Sequence, residues 1–230
     1  MKVVFVGPSL PDAKSHAGDD LVVRPPACQG DVMQALEDGA TAIGLIDGQF
    51  EFVAPVWHKE LLFALSEGKA VYGAASMGAL RAAECAAYGM IGIGKIFDAY
   101  ISGQRIDDAD VALVHSPAEL GYFAMTVPLV NVDATLAEAV AIGLLSNEEE
   151  ARLSKAARAL FFKDRTWKKM AATAELEWAR VDPIIKAAQV DQKRLDAIAL
   201  MDEMRATDCL NQPQQEWQFN ATPLWRKLYS

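Results

Sequence analysis

Short apolar runs alternate with helical segments along the N-terminal half of the chain, and this alternation restricts the fold more than any other feature. The apolar runs cover residues 2–6, 21–24, 42–46 and 70–73, and helical segments begin near Gly30, Val56 and Ser76. Strands and helices that alternate with short connections form βαβ units, in which the strands lie parallel. We therefore predict an α/β fold with a mostly parallel sheet flanked by helices, in Rossmann- or flavodoxin-like layers, with later strands at 111–115 and 126–131.

The C-terminal part of the chain has a different pattern. Strand signals disappear from Ala134 onward, and helical periodicity covers 135–145, 147–162, 167–181 and 183–205. Asp182 followed by Pro183 is typical of a helix start. Residues 211–230 are polar and aromatic without a period, which indicates an extended tail. We expect an α/β core at 1–132 and an all-helical region at 133–230 that packs on the core and ends in this tail.

Composition and charge exclude several classes of protein. The chain has 230 residues, 52% of them hydrophobic and 23% charged, and no apolar run reaches the ~18 residues of a membrane span. Residues 1–7 predict a first strand and not a signal peptide, so we expect a cytoplasmic protein without a membrane partner. Residues 1–150 hold 8 Lys/Arg and 21 Asp/Glu, whereas residues 151–230 hold 14 and 10. This acidic body argues against nucleic-acid binding, and the mildly basic tail permits docking of an acidic peptide or protein.

No pattern of metal or cofactor ligands stands out. The chain has three cysteines that lie far apart and form no CxxC motif: Cys28, Cys85 and Cys209. They support neither a disulfide framework nor a zinc site. We predict a solvated loop for Asp107, Asp108 and Asp110, and the glycines at 89–94 follow a helix and not a strand. We therefore expect no metal and no cofactor.

Polar and small residues follow the predicted strands. The carboxyl ends of parallel strands meet at one edge of the sheet, where ligands bind. The residues expected there are Ser9, Gly30, Asp31, Asp47, Gly48, Ser76, Met77, Gly78, His115 and Ser116. We predict a site at this edge, with substrate-binding residues at Gly30, Asp31, Gly48, Met77 and Gly78.

Ser76 is the central candidate of this site. It lies between the fourth strand and an alanine-rich helix, in a Gly-x-x-Ser-x-Gly pattern that resembles a nucleophile elbow with its first glycine displaced. A serine there can cap the helix, help the helix N-terminus to hold an anion, or act as a nucleophile. A capping box is absent because Ala79 stands where Glu or Gln is needed. These three interpretations remain open.

Two further groups of charged residues lie on the helices near this site. His58, in the first helical turn after Val56, lies off the apolar stripe and is either a surface histidine or a general base. Its neighbours Lys59 and Glu60 are typical of solvated charges. Arg81 and Glu84, three residues apart, form either a surface pair or a group in which Arg81 holds a substrate carboxylate.

A basic and aromatic stretch lies farther along the chain. It covers residues 161–169 and has the sequence FFKDRTWKK. Such a mixture is typical of a buried helix edge with solvated lysines, or of a surface that docks a partner.

Several stretches resemble the TfuA-like protein family. In chain order they are PPACQGD at 25–31, IDGQF at 46–50, VWHKE at 56–60, YGAASMGALRAAE at 72–84, GMIGIG at 89–94, DDADVA at 107–112 and, more loosely, VDQKRLDA at 190–197. The resemblance covers residues 1–130 most closely, and SMGALRAAE is its most specific motif. The chain departs from the family at Gln49, where an aromatic residue is common. Cys28 is not required by the family, so we do not expect it to carry sulfur.

The resemblance implies work beside a YcaO-type, ATP-using enzyme that converts a backbone amide of a ribosomally made precursor peptide, or of a protein, into a thioamide. A TfuA-like partner is expected either to bring sulfur or to recruit and activate the YcaO enzyme. Our leading hypothesis is an acyl-transfer or hydrolase activity that releases sulfide from the thiocarboxylate of a small sulfur-carrier protein. The alternatives are a non-catalytic adaptor and a free-standing serine hydrolase of small esters.

This hypothesis gives each candidate residue a role. Ser76 or its helix N-terminus meets the acyl group, His58 moves a proton, and Asp47 orients His58. Arg81 holds charge, and Lys59 and Glu84 complete the substrate-binding set.

Overall fold

The structure, a computed structural model, describes residues 1–49, 51–207 and 217–229. The chain divides into two compact units, which are described separately. Unit 1 comprises Met1–Gln104 and Asp196–Ser230, and unit 2 comprises Arg105–Leu195. None of the helices in the described ranges has both the length and the apolar character that crossing a membrane requires.

Unit 1 contains a five-stranded parallel sheet. Its strands are β1 (Lys2–Phe5), β2 (Leu21–Arg24), β3 (Ala42–Leu45), β4 (Ala70–Ala74) and β5 (Ile91–Ile93). They lie in the order β2-β1-β3-β4-β5, and every neighbouring pair is parallel. The prediction of a mostly parallel α/β sheet is confirmed.

Helices cover both faces of this sheet. The helices of unit 1 are α1 (Ala13–Ala17), α2 (Asp31–Glu37), α3 (His58–Ser66), α4 (Met77–Cys85), α5 (Lys95–Ile101), most of α10 (Gln192–Ala206) and α11 (Pro223–Tyr229). Alternate strand residues point to opposite faces. Val3 and Phe5 pack in one apolar cluster with α2, α3 and α4, and Val4 packs in a second cluster with α1 and α10. This arrangement confirms the predicted layers.

Unit 2 is helical. It contains α6 (Leu129–Ala141), α7 (Asn147–Ala159), α8 (Trp167–Thr173), α9 (Trp178–Ala188) and the first residues of α10. These helices share one apolar core that includes Leu136, Leu153 and Met170. A capping box between Ser146 and Glu149 fixes the start of α7. The prediction of a helical C-terminal portion is confirmed.

The predicted late strands are wrong. Residues 111–128 contain one 3₁₀ turn, Ala118–Leu120, and one isolated bridge between His115 and Ala124 in otherwise irregular backbone. The apolar run at 126–131 leads into helix α6, which begins at Leu129 directly after Pro128. A short apolar run fits a buried strand or a buried helix equally well, so periodicity did not separate them. The fifth strand is instead Ile91–Ile93, within the glycine-rich stretch. Its central Gly92 is needed for packing, because a Cβ there would lie 2.1 Å from the Phe97 ring.

Two helix predictions near the C-terminus also need correction. Pro183 lies inside α9, which begins at Trp178, so Asp182 and Pro183 do not start a helix. The tail is not extended throughout, since Pro223–Tyr229 forms α11. Residues 211–216 of the predicted tail, and also Cys209 and Phe50, lie outside the described residues.

Candidate functional site

A buried carboxylate joins the loops that follow β1 and β3. Asp47, 2% exposed, accepts hydrogen bonds from the amides of Gly7 and Ser9, both at 2.9 Å, and from Ser9 Oγ at 2.6 Å. Ser9 is also 2% exposed. Buried amides need acceptors, and Asp47 supplies them for two residues of the neighbouring loop. Asp47, which the sequence analysis assigned to orient His58, therefore links the two loops at the carboxyl edge of the sheet.

The start of α4 is packed tightly against the end of β3. The amide of Gly78 donates to the carbonyl of Ile46 at 3.1 Å, and a Cβ on Gly78 would lie 1.8 Å from the carbonyl oxygen of Leu45. A Cβ on Gly48 would lie 2.2 Å from the sulfur of Met77. Gly48, Met77 and Gly78 therefore serve close packing of backbone, whatever further role they have in binding.

Ser76 follows a strained turn. The preceding Ala75 is fully buried and has a φ of 64°, and the amide of Ser76 donates to the carbonyl of Ala74 at 2.7 Å. A three-residue turn with positive φ at a non-glycine residue is rare and strained. Ser76 occupies the N-cap position of α4, but its side chain makes no capping hydrogen bond. Strain of this kind concentrates at functional sites, because the surrounding structure must hold it in place.

His58 pairs with Glu84. His58 Nε2 lies 2.7 Å from Glu84 Oε2, and Arg81 Nη1 donates to the same oxygen at 2.6 Å. The side chains of His58 and Glu84 are 48% and 45% exposed, whereas Arg81 is 15% exposed. The structure therefore brings together three predicted site residues, and the carboxylate beside His58 is Glu84 and not Asp47.

This cluster has two chemical capabilities. A neutral His58 that donates through Nε2 to Glu84 keeps Nδ1 as an acceptor, so it can take a proton from a bound water. Arg81 Nε is buried and has no hydrogen-bond partner among the described residues. The guanidinium edge formed by Nε and Nη2 suits two oxygens of an anion. Ser76 lies eight residues before Glu84, which is about 12 Å along a helix. Among the described residues, the hydrogen bond of the imidazole is to Glu84 and not to Ser76.

A second polar group surrounds the start of α2. Glu60 is fully buried and accepts from the Gly30 amide through both oxygens, each at 3.0 Å. Burial raises the pKa of Glu60. Asp31 accepts from the amide of Cys28 at 2.8 Å and from its thiol at 3.2 Å. The expectation that Glu60 is solvated is wrong, because α3 turns it inward toward Gly30.

The described cysteines are poor thiolates. Burial, followed by the hydrogen bond and charge of Asp31, raises the pKa of the Cys28 thiol to about 11. Burial raises the pKa of Cys85 to about 11 as well, with a further contribution from Glu84. Both side chains therefore remain protonated at neutral pH.

Lys59 forms hydrogen bonds with residues near the C-terminus. Its Nζ donates to the carbonyl of Asn220 and to Thr222 Oγ1, both at 2.9 Å. The same Nζ lies 5.6 Å from the ring centroid of Phe219 and 6.0 Å from that of Trp225. Lys59 is thus partly buried under residues 217–229, which we call the C-terminal segment.

A scan against models of protein families matches residues 47–166 to the TfuA-like proteins. The matched segment is slightly more than half of the chain. The chain belongs to the TfuA-like family. A search of curated proteins found no match. The TfuA-like segment includes Asp47, His58, Ser76, Arg81 and Glu84, whereas Gly30 and Asp31 precede it.

The remaining candidates of this TfuA-like protein lie in unit 2. His115 is exposed, and because no strand forms at 111–115, the reason for placing it at the sheet edge is lost. Asp110 pairs with Arg105 at 2.8 Å, and Asp107 accepts from the amide of Ala109 at 2.9 Å. Within the described ranges, no three His, Cys, Asp or Glu side chains are grouped so that they hold a metal ion.

The basic and aromatic stretch of unit 2 is only partly a surface. Phe161 is 58% exposed, but Phe162 is 6% exposed and belongs to the interior. Lys169 pairs with Asp164 at 2.5 Å. This stretch therefore offers one exposed aromatic ring and several solvated lysines to a partner.

Sequence reasoning missed two features of the site. It did not find that Glu84 is the partner of His58, because these residues lie on different helices and 26 positions apart. It also missed the burial of Glu60. A helical projection of α3 gives a signal for this burial, because Glu60 lies one turn before the buried Ala64 and beside the buried Leu61.

Proposed function

We propose that this TfuA-like protein releases sulfide from the thiocarboxylated C-terminus of a small sulfur-carrier protein and supplies it to a YcaO-type enzyme. That enzyme would use ATP and sulfide to convert a backbone amide of a ribosomally made precursor peptide or protein into a thioamide. Membership of the TfuA-like family supports the YcaO partner. The proposal places the reaction in the cytoplasm, where ATP is available.

The contact between His58 and Glu84 is the observation that carries this proposal. An imidazole oriented by a carboxylate is the general-base arrangement of many acyl-transfer enzymes. The 2.7 Å distance from His58 Nε2 to Glu84 Oε2 fits this role. Arg81, beside them, is suited to stabilise negative charge on the acyl oxygen.

We assign the attack to a water molecule and not to Ser76, because Ser76 lies about two helical turns from Glu84. His58 takes a proton from water while the water oxygen bonds to the thiocarboxylate carbon. The carbon–sulfur bond then breaks, and the protonated His58 returns its proton to the departing sulfur, so that the thiocarboxylate and water yield a carboxylic acid and hydrosulfide. The carboxylic acid ionises at neutral pH. Ser76 and the N-terminus of α4 would hold a carbonyl of the carrier tail, of which about four extended residues span the intervening 12 Å.

The chemistry of the cysteines favours hydrolysis over a persulfide relay. A relay needs a thiolate as the sulfur acceptor. The raised pKa values of Cys28 and Cys85, both about 11, argue against either thiol in that role.

The test is sulfide release from a thiocarboxylated carrier in the absence of the YcaO enzyme. We expect His58→Ala and Glu84→Gln to lower kcat by roughly 10²–10⁴-fold, the usual contribution of general-base catalysis. His16→Ala is the matched control, because His16 also faces a carboxylate, Asp12, at 3.6 Å. Ser76→Ala is expected to raise KM more than it lowers kcat. Wild-type rates in both the His58 and Glu84 variants would refute the proposed chemistry.

A non-catalytic adaptor is the second candidate, and the exposed Phe161 favours it. A protein that only recruits the YcaO enzyme needs such a docking surface. Free sulfide separates the two functions. If free sulfide removes the need for this protein in thioamidation, it supplies sulfur. If thioamidation still needs the protein when free sulfide is present, and if Phe161→Ala abolishes thioamidation, the protein is an adaptor.

A further inference from the structure

The contact between His58 and Glu84 is too weak to fix the relative position of the two side chains by itself. Both side chains are almost half exposed, at 48% and 45%. An exposed hydrogen-bonded pair of this kind contributes little free energy, because water competes for both groups and two side chains must be ordered. The relative position of α3 and the last turn of α4 must therefore be set by other contacts within unit 1.

The C-terminal segment makes such contacts with α3. Trp225 is 4% exposed, and its ring lies 5.4 Å from that of Phe63. Phe219 lies 5.3 Å from Phe63 in an edge-on contact. At the helix start, Lys59 donates to the carbonyl of Asn220 at 2.9 Å. The contacts thus begin at the residue next to His58.

The same segment also reaches the chain just after α4. Trp217 Nε1 donates to the carbonyl of Tyr88 at 3.1 Å, and the two rings meet edge-on at 5.4 Å. Tyr88 lies four residues after Glu84, in the 3₁₀ turn Ala86–Tyr88. The segment therefore touches one residue close to each partner of the His58–Glu84 pair. Burial of the Trp225 ring contributes more free energy than the exposed contact between His58 and Glu84.

We propose that the C-terminal segment is a strap that ties α3 to the end of α4 and so positions His58 against Glu84. Trp217 and Phe219 are its positioning residues, since Trp217 contacts Tyr88 after α4 and Phe219 contacts Phe63 in α3. Neither ring needs to touch the substrate. The catalytic consequence rests on the function proposed above, whereas the effect on the geometry of His58 does not.

The experiment compares four full-length variants. Trp217→Ala removes the anchor on Tyr88, and Trp217→Phe keeps an aromatic ring there. Phe219→Ala loosens the α3 anchor and serves as a second variant if Trp217→Ala does not fold. Leu224→Ala is the matched control, because Leu224 lies in the same segment but is 57% exposed. Sulfide release gives kcat and KM, and ¹⁵N NMR of the histidine rings reports on His58, with Glu84→Gln as the reference for a broken pair.

We expect Trp217→Ala and Phe219→Ala to lower kcat roughly tenfold or more with little change in KM, because a small displacement of a general base is costly. Their His58 ring signals should move toward those of Glu84→Gln. Trp217→Phe should restore most of both properties, and Leu224→Ala should match the wild type. Folded Trp217→Ala and Phe219→Ala proteins with wild-type His58 signals would overturn the strap. Absence of sulfide release from the wild type would overturn the proposed function alone, since the NMR comparison still tests the strap.

Discussion

Asp47 is expected to stabilise unit 1 through the hydrogen bonds that it accepts. Replacing it with alanine leaves the amides of Gly7 and Ser9 without their acceptor at a position where Asp47 and Ser9 are each 2% exposed. A buried donor left unpaired costs about 1–3 kcal/mol. The Ser9 hydroxyl can rotate, so the two amides dominate the loss.

These contributions predict that Asp47→Ala lowers the free energy of unfolding by about 2–6 kcal/mol. Ser9→Ala removes one donor and leaves the carboxylate with its two amides, so it should cost about 1 kcal/mol. The two substitutions share the bond from Ser9 Oγ to Asp47 Oδ1, which is 2.6 Å long. The double variant should therefore be about 1 kcal/mol more stable than the sum of the single losses implies.

Urea unfolding followed by circular dichroism measures these differences, provided that the dependence on urea concentration is the same in all variants. A loss of about 2–6 kcal/mol corresponds to a fall of roughly 4–24 °C in melting temperature for a chain of this size. An Asp47→Ala protein within about 1 kcal/mol of the wild type would refute the reasoning, because it would mean that water satisfies both amides.

The packing of Gly78 and the raised pKa values of Cys28 and Glu60 give three further predictions. Gly78→Ala should lower the melting temperature, because its Cβ would lie 1.8 Å from the Leu45 carbonyl oxygen. Overpacking of this kind costs about 1–3 kcal/mol, so an unchanged melting temperature would contradict the close packing of α4 on β3. Cys28, with its pKa raised to about 11, should be alkylated slowly at pH 8, and Asp31→Asn should speed the reaction; equal rates would exclude the influence of Asp31. Burial raises the pKa of Glu60 above its ordinary 4.5, so the folded state binds this proton more tightly and stability falls as pH rises from 4.5 toward the folded value. Urea unfolding at pH 4 and pH 7 should therefore show Glu60→Gln gaining stability relative to the wild type as pH rises, and a difference independent of pH would refute this.

Local sequence patterns were sufficient for the four long strands but not for the shortest one. Strands β1 to β4 are apolar runs in a regular alternation with helices, so their pattern predicts a parallel sheet. Strand β5 has three residues and a central glycine, and its identity depends on the packing of Phe97 over Gly92. The strand predicted at 126–131 was wrong for a related reason, because a helix buried on several sides has the same apolar composition as a strand.

The residues proposed for the site were chosen from the sequence, but the sequence did not predict which of them are in contact. Asp47 and His58 follow the same strand, which made them natural partners. In the structure Asp47 turns into the edge of the sheet toward Ser9, and Glu84 reaches His58 from another helix. Which side chains meet depends on the rotation and packing of α3 against α4, and no local pattern encodes that.

The sequence by itself determined the α/β layering, the family resemblance and the set of candidate site residues, because these depend on residue type and short-range spacing. The tertiary structure alone decided three matters: the burial of Glu60, the strained turn before Ser76, and the contact of the C-terminal segment with Lys59 and Tyr88. Each of these arises from contacts between segments far apart in the chain. Their energies exist only when the helices and the sheet are packed together.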